Sequence, residues 1–221
     1  MKLLISALTK YLAGLILVGL ILFLPAGTLC YPNGWLFCGL LFLPMLVLGI
    51  VLFLKSPALL EKRLKSKESQ TEQKQVIGAS AVMFLGGFIL AGLDFRFGWT
   101  QVPTWLISAA SLLLLISYGL YAEVLRENQW LSRTVEVQEG QTVVDTGLYG
   151  FVRHPMYAVT TLLFLSVPLV LGSWISFVLF LSYPILMVKR IRAEEALLEA
   201  ELPGYRAYQE KVRYRMIPFV W

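Results

Sequence analysis

Long runs of uncharged, apolar residues are the feature that most limits how this chain can fold. A helix that crosses the roughly 30 Å hydrocarbon core of a bilayer needs about 20 such residues. Four runs of this kind occur in the first part of the chain, at Tyr11–Leu29, Trp35–Leu54, Val76–Leu93 and Trp105–Ala122. The chain as a whole is 57% hydrophobic, which is typical of membrane proteins and unusual for globular ones.

A later run, Pro155–Val188, is free of charge and is interrupted near its middle by Gly172-Ser173-Trp174. At about 1.5 Å per residue, each half can just cross the bilayer. The run predicts two short spans joined in a tight hairpin, with a single re-entrant pair as the alternative. The sequence therefore predicts an all-α integral membrane protein with about six transmembrane helices.

The positive charges predict the orientation of these helices. Lys and Arg are concentrated at the N-terminus, in the polar loops Lys55–Gln75 and Glu123–Arg153, and after Lys189. Cytoplasmic loops are enriched in these residues, so both termini are expected to be cytoplasmic. The net charge of +5 is explained by this orientation and by anionic lipid head groups, and nucleic acid is not expected as a partner.

The first run is interpreted as a retained span, since no clear small-residue cleavage site follows it. We expect a single membrane domain, residues 1–221, with a four-span bundle at 1–122 and a catalytic part at 123–221. In the second part, Thr134–Val137 and Thr142–Val144 predict either a small hairpin or an irregular lid.

The residues after the hairpin predict a cytoplasmic helical tail. Lys189–Glu201 has the pattern of a helix, and Pro203-Gly204 ends it. A second short helix is expected at Tyr205–Val212, followed by an extended segment at Arg213–Pro218.

Two further patterns concern packing. Span three contains small residues that would let another helix approach closely. They are Gly78, Ala79, Gly86, Gly87, Ala91 and Gly92. Cys30 and Cys38 flank one short loop. A disulfide there is an open alternative, but packing is the commoner role of such cysteines.

The stretch Thr146–Tyr157 combines polar groups with the start of a membrane helix. It contains Arg153 and His154, the only histidine of the chain, directly before Pro155. Polar groups at this depth are costly and usually functional. Proline suits the first turn of a helix, and the free N–H groups of that turn can hold an anion. The alternative is that the arginine reaches lipid phosphate and the histidine packs.

Two carboxylates, Glu194 and Glu195, share a helical stripe with Ile191 and Leu198. The alternative is a solvated face on which Glu194 pairs with Arg190. The predicted topology brings these carboxylates to the same membrane face as the Arg153–His154 pair. A polar ligand from the cytosol and a lipid-like ligand from the bilayer could meet there.

Several separated motifs carry a resemblance to a known family. They are Gly147-x-Tyr149-x-x-x-Arg153-His154-Pro155-x-Tyr157, Arg192-x-Glu194-Glu195, Leu202-Pro-Gly-Tyr205-x-x-Tyr208 and Arg215-x-Ile-Pro218. In this order they resemble the isoprenylcysteine carboxyl methyltransferase and phospholipid methyltransferase family. The resemblance extends from Asn128 to the C-terminus, and the first four spans match only as generic hydrophobic helices.

This resemblance implies methyl transfer from S-adenosylmethionine to a lipophilic acceptor at the membrane, without a metal. It implies catalytic roles for Arg153, His154 and Glu195. The implied cofactor-binding residues are Tyr149, Arg153, His154, Pro155, Tyr157, Glu194, Glu195, Tyr205 and Tyr208. Arg153 or the free N–H groups of the helix start would hold the carboxylate of the cofactor, and Glu194 or Glu195 would pair with its ammonium group.

One departure from the family pattern leaves other functions open. The family usually has Gly two residues after the motif tyrosine, where this chain has Val159, and the larger side chain is expected to narrow the pocket. A non-catalytic membrane protein is therefore one alternative. NADPH-dependent sterol reductases are another, because they resemble the ending Arg213-Tyr-Arg-Met-Ile-Pro218. The methyl acceptor and the oligomeric state stay open.

Overall fold

The computed structural model describes residues 2–64, 71–132 and 135–221, and the regular elements of these residues are all helical. In chain order they are α1 (Lys2–Ala26), α2 (Pro32–Lys55), α3 (Pro57–Leu64), α4 (Thr71–Phe97), α5 (Thr104–Glu127), a 3₁₀ turn (Gly147–Gly150), α6 (Pro155–Val170), α7 (Trp174–Phe180), α8 (Ser182–Glu201) and α9 (Tyr205–Lys211).

Five helical segments are long and apolar enough to cross a membrane. They are α1, α2, residues Gln75–Phe97 of α4, α5, and the 28-residue segment Trp174–Glu201 formed by α7 and α8. Helix α6 is apolar but has only 16 residues. The prediction of an all-α membrane protein is confirmed, and the predicted count of about six corresponds to five long candidate spans and the shorter apolar α6.

The helical segment Trp174–Glu201, formed by α7 and α8, has different bounds from those predicted. The turn of the hairpin is where it was expected, between α6 and α7, but α8 continues past Val188 to Glu201. The residues Lys189–Glu201 are helical as predicted, but they continue α8 and do not form a separate tail helix. The break in the segment Trp174–Glu201 lies before Val188, at Leu181, because Pro184 has no N–H to donate to the carbonyl of Phe180. Glu194 and Glu195 are consequently attached rigidly to a membrane helix.

The polar segments also differ from their predictions. The predicted loop Lys55–Gln75 contains α3, which buries Leu59 and Leu60, and α4 already begins at Thr71. The segment between α5 and the 3₁₀ turn is irregular over its described residues, so no hairpin forms at Val135–Val144. Thr134 of that prediction lies outside the described residues.

Close helix packing confirms part of the small-residue pattern of α4. A Cβ atom on Gly87 would lie 2.2 Å from a ring carbon of Phe180, and one on Gly92 would lie 2.5 Å from the carbonyl oxygen of Leu22. These two glycines let α4 approach α7 and α1. A Cβ atom on Gly78 would meet no atom within 4 Å, so that glycine has no such role inside this chain.

A polar cluster ties the loops together at the end of the bundle that holds the α6–α7 turn, here called the turn end. Asp94, which is 1% exposed, accepts hydrogen bonds from the Thr100 N–H at 2.7 Å and from the hydroxyls of Thr100 and Ser173. The Trp174 N–H donates to the Thr100 hydroxyl at 3.1 Å. The α4–α5 loop is thereby fixed to the start of α7.

The two cysteines lie at the same end and are not bridged to each other. Cys38 is half-buried and packs against the main apolar core, whereas Cys30 is exposed. The expected packing role therefore fits Cys38 and does not fit Cys30.

Candidate functional site

A cavity of about 890 Å³ lies between α2, α4, α5, α6 and α8 and reaches the opposite end of the bundle, here called the site end, where α6 begins. Its deep part is lined by apolar side chains such as Leu41, Met45 and Phe84. Its outer part is lined by polar and aromatic side chains. They are Tyr149, Arg153, His154, Tyr157, Glu194, Tyr205 and Tyr208. An apolar cavity with a few convergent polar groups is the usual form of a small-molecule site.

The turn that carries Arg153 and His154 is held by the C-terminal segment of the chain. The Arg153 N–H donates to the Tyr214 carbonyl at 2.9 Å, and the His154 N–H donates to the Arg215 carbonyl at 2.8 Å. In the first turn of α6, the N–H groups of Tyr157 and Ala158 donate to the His154 carbonyl. These N–H groups are therefore engaged within the protein, and the anion site at the helix start stays a prediction.

Glu195 is the centre of a buried ionic cluster. It is 3% exposed, and its Oε1 accepts a hydrogen bond from Arg153 Nε at 2.7 Å and lies 3.3 Å from His154 Nε2. Its Oε2 accepts a hydrogen bond from Arg215 Nε at 2.6 Å. Buried charges require partners of this kind. Because its oxygens point to these three groups, Glu195 does not line the cavity but lies behind Arg153 and His154, which do.

Arg153 links this cluster to the backbone. Its Nη1 donates to the carbonyls of Val212 at 2.7 Å and Arg213 at 2.9 Å. With Nε on Glu195, most of its donors are used inside the protein. Arg153 therefore joins α6, α8 and the C-terminal segment, and its charge faces the cavity from a fixed position.

Glu194 has a different environment from its neighbour. It is half-buried and lines the cavity, and it accepts a hydrogen bond from the Tyr157 hydroxyl. Arg190 Nε donates to the same Tyr157 hydroxyl at 2.9 Å. The Tyr157 hydroxyl therefore links Arg190 to Glu194. The sequence alternative was a direct ion pair between these two residues.

Three tyrosines from the 3₁₀ turn and α9 complete the polar part of the cavity. The Tyr208 hydroxyl donates to the Tyr149 carbonyl at 2.7 Å. The buried hydroxyls of Tyr149 and Tyr205 make no hydrogen bond within the described residues, although the Asn128 side chain lies near Tyr149. A buried polar atom without a partner is rare and often marks a ligand site.

Both unpaired hydroxyls keep their protons at neutral pH. Burial, and then the Glu195 and Glu194 carboxylates, raise the pKa of Tyr205. Burial is also the main reason that the pKa of Tyr149 is raised. Each hydroxyl is therefore available to donate a hydrogen bond to a ligand.

Val159 does not narrow the cavity. Its side chain is 4% exposed and belongs to the apolar cluster that also contains Val124 and Leu125 of α5, and Val159 is not among the residues that line the cavity. The expected obstruction at this position is therefore not found. Of the residues predicted to bind a cofactor, Pro155 and Glu195 are the two that do not line the cavity.

Several residues around the cavity were not predicted from the sequence. Arg215 occurs in a quoted motif but had no assigned role, and Arg63 and Tyr121 lie in the part of the chain that resembles only generic spans. Arg63 and Tyr121 meet because α3 packs near α5, and Arg215 reaches Glu195 because the C-terminal segment packs near α8. A local sequence pattern does not predict these long-range contacts. In the described residues, no group of three His, Cys, Asp or Glu side chains is arranged to hold a metal ion.

Comparison with known proteins gives a family match and a similar protein. Residues 107–200 match the model of the isoprenylcysteine carboxyl methyltransferase (ICMT) family. The uncharacterized protein YpbQ of Bacillus subtilis (strain 168) is 28% identical over 100 residues, which cover 45% of this chain and 60% of that protein. The family match contains Tyr149, Arg153, His154, Tyr157 and both carboxylates, whereas Tyr205, Tyr208 and Arg215 follow it in the sequence.

Proposed function

We propose that this chain transfers a methyl group from S-adenosylmethionine to a lipophilic acceptor, because residues 107–200 match the model of the isoprenylcysteine carboxyl methyltransferase family. The acceptor is an isoprenylcysteine-like carboxylate or a related lipid or small-molecule group. The observation that carries this proposal is a cavity that has a polar outer part and an apolar part between membrane helices. Such a cavity can hold a polar donor and an apolar acceptor side by side.

The polar residues fit the proposed cofactor. S-adenosylmethionine supplies an electrophilic methyl group on a sulfonium sulfur. The carboxylate of Glu194 faces the cavity and suits the ammonium group of the cofactor. The unpaired hydroxyls of Tyr149 and Tyr205 suit its oxygen and nitrogen acceptors. The family resemblance also assigns His154, Tyr157 and Tyr208 to this region, and all three line the cavity.

The protein would contribute mainly by binding and alignment. His154 is fixed by Glu195 and lies with its ring 5.8 Å from that of Tyr157, so it can orient a bound group. The surrounding helices would exclude water, which prevents transfer of the methyl group to water in place of the acceptor. Holding two reactants in line removes much of the entropic cost of their meeting.

We also propose that the site end faces the cytoplasm. The Lys-rich and Arg-rich segments lie in the first half of α1, around α3, between α5 and α6, and after Val188. All of these lie at the site end, and the positive-inside rule assigns such segments to the cytoplasm. The water-soluble cofactor would then enter from the cytosol.

Ligand binding tests the cofactor assignment directly. The purified protein in lipid nanodiscs is titrated with S-adenosylmethionine, S-adenosylhomocysteine and NADPH while its thermal unfolding is followed. A ligand at 100 times its dissociation constant stabilises the folded state by about 2.7 kcal/mol. We expect the two adenosyl compounds to raise the melting temperature and NADPH to leave it unchanged. Stabilisation by NADPH alone would support a reductase and overturn the proposal.

The variant His154→Ala tests the proposed catalytic role. We expect it to abolish transfer of a radiolabelled methyl group to a membrane lipid extract, with little change in the melting temperature of the ligand-free protein. The matched control is Lys62→Ala, which removes a charged side chain outside the cavity lining. Full activity of His154→Ala would exclude this residue from the reaction.

A further inference from the structure

Residues 215–221 form a closed loop, here called the 215–221 loop. The N–H groups of Arg215, Met216 and Ile217 donate to the Trp221 backbone oxygen at 3.0, 3.0 and 3.1 Å. The Trp221 N–H donates in turn to the Ile217 carbonyl at 3.0 Å. The Arg215 guanidinium group lies over the Trp221 ring, 5.4 Å from its centroid. These contacts fix the shape of the loop.

The 215–221 loop lies beside the point at which α6 begins. The N–H groups of Arg153 and His154, directly before α6, donate to the carbonyls of Tyr214 and Arg215. The centroids of the Phe219 and Tyr214 rings are 5.3 Å apart. Because α6 is an apolar helix that packs among the membrane spans, the loop lies near the level at which the chain enters the bilayer.

The loop presents apolar side chains to its surroundings. Ile217 is exposed, and Phe219 and Val220 are 86% and 75% exposed. Phe219 also has a φ of 64°, in the left-handed region that is uncommon for a bulky residue and costs free energy. Phe151, in the turn that leads to α6, is exposed as well. Exposed apolar side chains gathered in this way mark a surface that binds a protein or a membrane.

A positive charge lies next to these apolar side chains in the sequence. Residues 211–221 contain three cations and no acidic residue. Lys211 and Arg215 are paired with carboxylates of the protein. Arg213 is exposed, and no carboxylate of the described residues lies within ion-pair distance of it. Its guanidinium group is therefore available to an anion from outside the chain.

We propose that the 215–221 loop docks into the head-group layer of the bilayer that α6 enters. Ile217, Phe219 and Val220 reach the boundary between the head groups and the acyl chains, and Arg213 binds the phosphate of an anionic lipid. Apolar side chains beside basic ones are typical of interfacial membrane anchors, and the guanidinium group suits phosphate oxygens. The inference does not depend on the proposed methyl transfer.

Size and position favour the bilayer over a soluble protein as the occupant of this surface. A stable protein interface buries about 800 Å² on each partner, which requires more side chains than Phe151 and the loop present. The loop is also joined by backbone hydrogen bonds to the residues directly before α6. The head-group layer therefore lies next to the exposed side chains.

Docking of the loop would also support the ionic cluster around Glu195. Arg215 belongs to the loop, and its Nε donates to Glu195 Oε2 at 2.6 Å. A bilayer that holds the loop restricts the movement of Arg215 and so keeps this hydrogen bond in place. The stability of the protein is therefore expected to depend on anionic lipid.

The experiment measures the depth of the loop with a fluorescent bimane label. The free cysteines are first removed by Cys30→Ser and Cys38→Ala, and a single label is attached through Val220→Cys. The matched label is attached through Glu201→Cys, at the exposed end of α8. The full-length protein is placed, one copy per nanodisc, in phosphatidylcholine alone or in an equal mixture with phosphatidylglycerol. Quenching is measured with spin-labelled phospholipid and with iodide in the water.

We expect opposite results for the two labels. The label at Val220 should be quenched by the lipid and shielded from iodide, whereas the label at Glu201 should be quenched by iodide alone. Addition of Phe219→Ser should reduce the lipid quenching at Val220, because the loop loses an apolar side chain that enters the bilayer. The matched control is Phe97→Ser, which removes an exposed phenylalanine at the turn end and should leave this quenching unchanged.

The charged variant tests the role of anionic lipid. In the mixed membrane, Arg213→Gln should lower the ratio of lipid-facing to water-facing label by about fivefold, the effect of one cation at an anionic surface. It should have little effect in phosphatidylcholine alone. The parent protein should melt at a higher temperature in the mixed membrane, and Arg213→Gln should reduce this difference. The control is Arg206→Gln, which removes an exposed cation of α9 and should leave both quantities unchanged.

Three results would overturn the proposal. Equal iodide quenching of the labels at Val220 and Glu201 would leave the loop in water and would assign its apolar side chains to a soluble protein partner. Shielding from iodide without quenching by the lipid would mean that the chain itself covers the loop. Equal effects of Arg213→Gln and Arg206→Gln would show that Arg213 does not bind the lipid phosphate. A cooperative thermal melt of each variant shows that it is folded.

Discussion

Among the described residues, one buried carboxylate lies near each end of the bundle, and the two are hydrogen-bonded by different kinds of donor. Asp94 at the turn end is 1% exposed and Glu195 at the site end is 3% exposed. Asp94 accepts hydrogen bonds from neutral donors, namely the backbone and hydroxyl of Thr100 and the hydroxyl of Ser173. Glu195 accepts them from the guanidinium groups of Arg153 and Arg215 and lies next to His154.

The choice of partners indicates what each carboxylate does. Neutral donors on two loops can only fix those loops to each other, and Asp94 lies away from the cavity. Charged donors have a second use, because Arg153 and His154 reach the cavity wall while Glu195 holds them from behind. The Asp94 cluster therefore joins loops, whereas the Glu195 cluster also holds polar side chains at the cavity wall.

The largest effect is expected from Glu195→Ala. This change leaves the buried Arg153 guanidinium without its carboxylate, and removing one partner of a buried ion pair costs about 3–5 kcal/mol. We expect a lower free energy of unfolding in denaturant titrations and no measurable methyl transfer. The matched control is Glu194→Gln, which keeps a hydrogen-bond acceptor for Tyr157 and should weaken cofactor binding without this loss of stability.

A stable but inactive Glu195→Ala protein would change the interpretation. It would mean that water or a rearranged C-terminal segment compensates the buried charge, and that Glu195 acts on the reaction alone. A stable and fully active protein would show that the ionic cluster has no role at the site.

A smaller effect is expected from Asp94→Ala at the turn end. The change leaves the donors of Thr100 and Ser173 without an acceptor, which costs about 1–3 kcal/mol per unsatisfied buried group. We expect a lower melting temperature with unchanged methyl transfer per folded molecule, measured after normalising activity to the folded fraction. Reduced turnover of the folded Asp94→Ala protein would show that the two ends are coupled and would break the comparison.

The two carboxylates also show what the sequence reveals and what it does not. The apolar runs are a local property, and they predicted the membrane helices and the turn between α6 and α7. Glu195 was recognised because a carboxylate on an apolar stripe is unusual, and Arg153 because it precedes a membrane helix. The role of Asp94 was not predicted, since Thr100 and Ser173 are distant in sequence and its cluster exists only in the folded bundle.

The same limit explains the other differences. The path of α8 through Val188 depends on continuous helical hydrogen bonding across a change from apolar to charged residues, which composition alone does not show. Arg63 lies in a charged loop pattern, where one basic residue looks like any other. Its position at the cavity follows from the packing of α3 near Tyr121, a contact between residues 58 positions apart.

The smallest effects are expected from two neighbouring tyrosines of α9 at the site end. Tyr208→Phe removes a buried hydrogen bond to the Tyr149 carbonyl, and we expect a loss of about 0.5–1.5 kcal/mol in the free energy of unfolding of the ligand-free protein. Tyr205→Phe removes a buried hydroxyl that has no partner in the described residues. Its loss should leave the stability of the ligand-free protein unchanged or slightly raised.

With S-adenosylhomocysteine the larger effect should move to the other variant: Tyr205→Phe should then lose more stability, relative to wild type, than Tyr208→Phe. If the Tyr205 hydroxyl forms a hydrogen bond to the bound ligand, the ligand should stabilise Tyr205→Phe less than wild type. Its stabilisation of Tyr208→Phe should be unchanged. Paired thermal melts with and without S-adenosylhomocysteine measure both quantities in one experiment. Equal ligand responses in the two variants would mean that the unpaired hydroxyl is not part of the cofactor site.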